Sequence, residues 1–394
     1  MVLRGLAVTL VLWAVGGIAL RATIIPGEYC PPATAGQAMA SARLAAGWIE
    51  RAQRPNGTYL YEYNIAEDRE IADYNVVRHA GVTMSLYQLA AAGDLAVLPT
   101  ADRALGWMQD NMLEREDWAA FRDPYSGRVQ LGASALLLAG LAQRRLATGD
   151  TSYDDFMRRV GRFLVVMQRD DGSFLNFYLP ETGRPDPSHT SKYATGEAFW
   201  ALAMMHRFFP GEGWDRPTRA VADYLSLYRD EAEGNKFPPW ADQWAAYGLA
   251  EMADWPLNED NVAYARSLSE RFGFLVRFES QRTDGPWSKL IFGRRARAAG
   301  MGTWVEGLTS LHRLSSTDPR LADMEDKLAE RIACAAGMLI DRQVTADEAA
   351  ATAAPGIALG AWFTEDLTRM DDQQHALSAL LYAAPVLAAR ERGE

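Results

Sequence analysis

Gln53 followed by Asn56-Gly57-Thr58-Tyr59, Gln168 followed by Asp171-Gly172-Ser173-Phe174, and Gln281 followed by Asp284-Gly285-Pro286-Trp287 are three copies of one pattern. Each reads as a turn, because an Asx-Gly pair supplies the side-chain acceptor and the permissive backbone that a tight reversal needs. The glycines stand 115 and 113 residues apart. Helix-length segments with apolar residues at i, i+3 and i+4 lie between them, parted by Gly/Pro/Asp-rich loops, and strand-like alternation is rare. One interval holds two helical hairpins. The chain is therefore a hairpin repeat of about 55 to 60 residues.

Working outward from the turns, the segments fall into two alternating sets. Ala40–Arg54, Ala101–Met112, Asp154–Gln168, Arg216–Arg229, Asn261–Phe278 and Leu321–Ile340 are amphipathic and carry Arg and Asp. Asn75–Ala92, Gln130–Ala147, Gly196–Phe209, Ala241–Ala253, Gly302–Leu314 and Met370–Leu387 are rich in Ala, Gly and Leu with little charge. A helix polar on one face covers a surface, whereas one apolar all round is buried. Six of each predict an outer and an inner layer of a closed, all-α double ring.

Composition agrees with a folded globular chain: 394 residues, 48% apolar and 23% charged, with 32 Gly and 18 Pro. A net charge of −11 removes the long-range attraction that phosphate backbones require, so nucleic acid is a poor partner. Two cysteines, Cys30 and Cys334, cannot make a four-cysteine metal site, and neither a metal nor a cofactor is expected.

Arg4 precedes the apolar run Leu6–Leu20, and Arg21, Ile24 and Ile25 follow before Pro26. This is a signal peptide or a signal anchor. Gly17 and Ala19 make a weak small-x-small cleavage site and the apolar character continues past it, which favours an uncleaved anchor over residues 6–25 in the inner membrane. The domain plan is then 1–25 anchor or signal peptide, 26–37 linker and 38–394 toroid, with the body exported and periplasmic, or secreted if cleaved. In an oxidising compartment Cys30 and Cys334 can pair, tying the segment after the anchor to a late helix, and two unrelated free thiols are the other reading.

Over residues 38–390 the hairpin pattern resembles the (α/α)6 toroids, in which six inner helices are wrapped by six outer ones. The Gln…Asp-Gly-aromatic turn is also similar to the repeat of terpenoid cyclases and protein prenyltransferases. Their chemistry does not carry over: the Asp-x-Asp-Asp acid is absent, and no Asp/Cys/His zinc set can be built from Cys30 and Cys334. The resemblance that remains is to the carbohydrate-active toroids, namely six-hairpin glycosidases, unsaturated uronyl hydrolases and sugar or uronyl epimerases. It implies a glycan or oligosaccharide substrate in a central funnel.

In such a ring the starting ends of the inner helices converge on the funnel, and those ends are polar here. They read Asp73-Tyr74-Asn75 with Arg78-His79, then Lys192-Tyr193 with Glu197, then Trp240 with Asp242-Gln243-Trp244, then Thr303-Trp304 with Glu306, and Arg369 with Asp371-Asp372 and Gln374-His375. Acids in a first helical turn serve as caps, which is a sufficient reason for Asp73, Asp242 or Asp371. Glu197 and Glu306 sit inside apolar runs, where an unpaired carboxylate is costly, and so need a partner or a role. His79 and His375 occupy helix starts, against the dipole preference for cations at the other end. His189, His206 and His312 lie where no chemistry is expected.

The expected roles are Asp372 or Glu306 as general acid, Asp242 as partner base, and His79 and His375 as proton-transfer or positioning groups. Arg78, Tyr74, Tyr193, Glu197, Trp240, Trp244, Trp304, Arg369 and Gln374 are expected to bind substrate, the rings by stacking on sugars and the cations by pairing with a uronate. Glycoside hydrolysis is the leading activity, with uronyl lyase or epimerase chemistry next. A non-catalytic glycan-binding or scaffold subunit of an envelope assembly is the alternative. A lipid or isoprenoid enzyme is a third reading, and it predicts an apolar funnel without several carboxylates.

Overall fold

Amphipathic and pale segments become two concentric rings in the computed structural model, which describes residues 2–23, 26–235, 240–283 and 285–394. In chain order the ring helices are α1 (Ala35–Arg51), α2 (Val76–Ala91), α3 (Leu98–Gln109), α4 (Leu131–Thr148), α5 (Asp154–Met167) and α6 (Ala194–Phe208), continuing with α7 (Asp215–Leu227), α8 (Gln243–Glu251), α9 (Glu259–Ser280), α10 (Ala298–Ser315), α11 (Glu325–Asp341) and α12 (Met370–Arg392). Odd helices are outer and even ones inner. Each inner helix packs on the next, and α12 packs back on α2 as well as on α10 and α1. The ring is closed.

Burial follows the two residue patterns. In α4 every residue from Leu131 to Gln143 is buried, so its Ala, Gly and Leu side chains meet neighbours on all sides. In α5 only the stripe Met157, Val160, Gly161, Phe163, Leu164 and Met167 is buried, and its charges point outward. Small residues set the spacing between inner helices. A Cβ at Gly302 of α10 would strike the backbone of His375 in α12, so glycine there lets the two helices approach.

The first two copies of the sequence turn are one structure. Gly57 and Gly172 have φ of 90° and 87°, the left-handed region that glycine enters without a side-chain clash. Asn56 Oδ1 accepts from the Thr58 backbone N–H at 3.1 Å and Asp171 Oδ1 from that of Ser173 at 3.0 Å. Gln53 and Gln168 reach across to the next outer helix, donating to the carbonyls of Thr100 (2.8 Å) and Pro217 (2.9 Å). The third copy differs. Its Asp284 lies outside the described residues, and Gly285 has φ of −62° and starts a short helix, Pro286–Phe292.

Short strands, which the helical periodicity does not signal, brace the loops between outer and inner helices. Glu62–Asn64 pairs antiparallel with Arg69–Ile71 on one side and with Leu367–Arg369 on the other, matching Glu62 to Arg369. First and last hairpins are thereby stitched together. Met112–Glu114 pairs with Ala119–Phe121, and Phe177–Leu179 pairs with Val129–Gln130 on one side and with Arg184–Pro185 on the other.

Cys30 and Cys334 form a disulfide across a sequence separation of 304 residues, which settles the open choice between bridge and free thiols. The bridge joins the segment before α1 to α11. Nearby, Tyr29 N–H donates to the Ser280 carbonyl at 2.7 Å, and Glu28 pairs with Arg277 and Arg331. Val2–Thr23 is a helix whose apolar side chains, Leu10, Trp13 and Ile18 among them, are exposed. No helix among the described residues is long and apolar enough to cross a membrane, so the expected spanning anchor is not supported. Ile24 and Ile25 lie outside the described residues.

Candidate active site

A funnel of about 900 Å³ opens among the starting ends of the inner helices, and all six line it: Arg78 of α2, Gly132 of α4, Glu197 of α6, Trp244 of α8, Trp304 of α10 and His375 of α12. Tyr193, Trp240, Arg369 and Gln374 complete the sequence candidates on its wall. A second cavity of about 870 Å³, bounded by Arg282, Arg342 and Trp362, shares Ala296 with the funnel and holds none of those candidates.

Glu197 is 4% exposed and lines the funnel. Its carboxyl makes no hydrogen bond or ion pair among the described residues. Gly132 makes room for it, since a Cβ there would press on Oε2. Burial, helped by the nearby charge of Asp242, pushes its carboxyl up to about 8, so Glu197 holds a proton at neutral pH.

His375 is a second titratable group on the wall. Its Nδ1 lies 2.9 Å from Oε2 of Glu306, which is wholly buried behind it on α10. Burial opposes charge on the imidazole, but the Glu306 carboxylate outweighs it, and the pKa of His375 is raised. Complete burial likewise raises Glu306, with His375 pulling it back. Their contact leaves Nε2 of His375 as the ring nitrogen without a partner among the described residues.

Four residues expected at the centre are committed elsewhere. Asp242 is fully buried as the cap of α8, accepting from the N–H groups of Trp244 (3.0 Å) and Ala245 (3.2 Å), and it pairs with Arg229, itself buried. A carboxylate so saturated is not a free base. Asp372 accepts from Arg297 Nη2 at 2.6 Å and from the backbone N–H groups of Ala299 and Arg369, each at 3.0 Å. It joins α12 to α10 and is not on the funnel wall. His79 turns away from the ring axis towards α3, with Nδ1 2.7 Å from the Tyr74 hydroxyl and Nε2 3.2 Å from the Ala104 carbonyl. Burial lowers its pKa to about 3, so it is a neutral core histidine. Tyr74 is correspondingly structural, its hydroxyl also accepting from the Tyr59 N–H at 3.0 Å.

Two wall residues escaped the sequence reading. Asp371 reads as a mere cap, yet it faces the funnel between Arg78 Nε (3.1 Å) and Arg369 Nε (3.0 Å). Its i, i+4 relation to His375 on α12 is the signal that places both on one face. Arg297, just before α10, also lines the funnel, and nothing in the helical periodicity marks it. Flat rings complete the wall. Trp244 stacks on Trp200 and Tyr247 (5.6 and 5.7 Å between centroids), and Tyr193 meets Trp240 edge-on at 5.1 Å.

No protein-family model and no curated protein sequence matches the chain. Solved structures do. A cellobiose 2-epimerase from Spirochaeta thermophila superposes with a TM-score of 0.60 at 14% identity, covering 90% of this chain and 98% of that one. An α-mannanase of glycoside hydrolase family 76 from Bacteroides thetaiotaomicron gives 0.59 at 9% identity, covering 91% and 97%. An inactive double Asp-to-Asn variant of a Salegentibacter α-1,6-mannanase, solved in complex with α-1,6-mannotriose, gives 0.55 at 12% identity, covering 88% and 99%. The fold is thus the (α/α)6 toroid that carbohydrate epimerases and glycosidases share.

Proposed function

We propose that this toroid is a glycan-active enzyme working by acid–base chemistry in its funnel, with cleavage of a glycosidic bond as its reaction. The observation that carries the reading is Glu197: a carboxyl on the funnel wall without a partner among the described residues, protonated at neutral pH, among rings suited to stacking on sugars. Glu197 gives its proton to the leaving glycosidic oxygen as the C–O bond breaks. The carboxylate of Asp371, flanked by Arg78 and Arg369, faces the positive charge that develops at the anomeric carbon, and a water then adds to that carbon as its proton returns to the Glu197 carboxylate. Trp240, Trp244 and Trp304 hold the sugar rings.

The His375–Glu306 pair favours a second reading, proton transfer at a sugar carbon, as in epimerisation or uronyl elimination. The relatives in fold include both an epimerase and mannanases, which supports keeping the two side by side. A panel of oligosaccharides, neutral and uronate-containing, separates them when new reducing ends and deuterium uptake from D2O are both followed. Hydrolysis predicts that Glu197→Gln abolishes release of reducing ends. Proton transfer at carbon predicts that His375→Asn abolishes deuterium uptake while Glu197→Gln leaves it. Saturable binding with neither signal would make the chain a glycan-binding module.

We further infer that the chain is exported and held at a membrane. The exposed apolar N-terminal helix and the Cys30–Cys334 disulfide support this, since such bridges persist in oxidising compartments.

A further inference from the structure

We propose that the end of the ring opposite the funnel holds a second binding site, for an uncharged, largely apolar molecule that carries a hydrogen-bond acceptor such as a ketone or ester carbonyl. The inference concerns a different cavity from the one that carries the proposed reaction.

The inner helices start at the funnel and run away from it, and their later turns enclose a cavity of about 570 Å³. All six contribute: Gln88 of α2, Leu146 of α4, Trp200 of α6, Tyr247 of α8, Thr309 of α10 and Leu381 of α12. None of these side chains lines the funnel. A space of this size, enclosed by packed helices, is of the order that takes up a small molecule.

Its floor is unsatisfied. Trp200 and Gln88 are 1% and 2% exposed, and neither the indole Nε1 nor the amide Nε2 has a hydrogen-bond partner among the described residues. The Gln88 amide is held in its orientation, because Oε1 accepts from Ser378 Oγ at 2.6 Å and the NH2 side is left unmet. Tyr247 stacks on Trp200 at 4.6 Å, and its hydroxyl faces Gln88 and Glu306 without closing a hydrogen bond to either. An unpaired N–H is costly in a buried place, so two of them beside one cavity call for an acceptor.

Charge and wall chemistry narrow that acceptor. The arginines that line the cavity, Arg207 and Arg313, are both committed to Glu251, at 3.1 and 3.0 Å. Burial lowers the pKa of His312, which therefore stays neutral. No lining cation is left to pair with an anion, and the Glu306 carboxylate beside Tyr247 repels one. The groups without partners are donors, which offer nothing to a cation. Ala91, Leu146, Leu381, Pro385 and Val386 make the rest of the wall apolar, and water against them finds no hydrogen bond. Water meets the floor alone, whereas a carbonyl on an apolar body meets floor and wall together.

The test uses the full chain with isotope-labelled tryptophan and two probes of one shape, acetophenone and ethylbenzene, which differ in the carbonyl. Indole N–H resonances are followed during titration, with that of Trp200 identified by its loss in Trp200→Phe. The ketone should move the Trp200 resonance saturably at millimolar concentration and bind about tenfold tighter than the hydrocarbon, the worth of one buried N–H satisfied. Trp200→Phe should remove most of that preference while hydrocarbon binding, read on the remaining resonances, shows that the variant is folded and keeps its cavity. Glu197→Gln, on the funnel wall, should change neither affinity, so this site and the funnel reaction fail independently. The proposal is overturned if the Trp200 resonance is indifferent to the ketone, since the cavity then holds water alone. It is equally overturned if the native chain binds both probes alike, or if Trp200→Phe keeps the full preference for the ketone.

Discussion

Replacing Glu197 by Gln should make the protein more stable and, on the hydrolytic reading, inactive, and the gain should depend on pH in a defined way. The folded state holds the Glu197 proton up to about pH 8 instead of the ordinary 4.5, because ionising it means placing a charge in a buried site with no partner. Below pH 4.5 the carboxyl is neutral in folded and unfolded chains alike, and the stabilising difference is fully present. Between 4.5 and 8 only the folded chain binds the proton, so stability falls by about 1.4 kcal/mol for each pH unit. Above 8 the loss levels off at about 4 to 5 kcal/mol, the product of that slope and the 3.5-unit interval. Gln cannot ionise and escapes this loss. Urea unfolding of both proteins at pH 4, 6, 8 and 9 should give curves that coincide at pH 4 and separate by several kcal/mol at pH 8. Turnover of the native protein should decline as pH rises through about 8, where the acid loses its proton. A pH-independent difference, or a Gln variant less stable at pH 8, would refute the reasoning that Glu197 is an unpaired, protonated wall residue.

Three further outcomes follow from the architecture. Replacing Cys30 and Cys334 by Ser releases a loop of 304 residues, which chain entropy converts to a loss of about 5 to 6 kcal/mol, and denaturant unfolding that moves by less than 1 kcal/mol would contradict this. His79→Ala removes a buried ring whose two nitrogens are both satisfied, so unfolding should ease by about 2 to 4 kcal/mol while turnover of folded protein stays within severalfold; a hundredfold loss of turnover would return His79 to the chemistry. Gly172→Ala should cost about 2 kcal/mol or more, because φ is 87° and the new methyl meets the Ala220 carbonyl, whereas Gly285→Ala, with φ of −62° and only ordinary contact, should stay within about 0.5 kcal/mol by thermal unfolding.

The double ring was legible because helical periodicity records which faces are buried. Inner helices that touch neighbours all round must be pale, and outer ones must be striped, so alternation of the two in sequence is alternation in space. The funnel was legible for a related reason: polar residues at the starts of pale helices have few other places to go. Rotation about the helix axis was not legible. Arg78 and His79 are adjacent in sequence, yet one lines the funnel and the other packs against α3, a difference of about 100° that periodicity in a wholly buried helix does not resolve. Partnering was hidden as well. Asp242 and Asp372 find their cations, Arg229 and Arg297, on other segments, while Glu197, also a carboxylic acid, finds none among the described residues and faces the funnel.

Ring closure also bears on how the sequence is free to vary. The first and last hairpins are joined by the strand pair at Glu62 and Arg369, by packing of α1 on α12, and by the Ala35 N–H donating to Glu391 at 2.8 Å, so the two ends of the ring meet at a packed seam. The order of hairpins along the chain is therefore arbitrary as far as packing is concerned. A gene rearranged to start at α3 and end at α2, with a short linker across the old seam, would encode the same ring with the same funnel, and chain order would carry no information about which wall each side chain occupies.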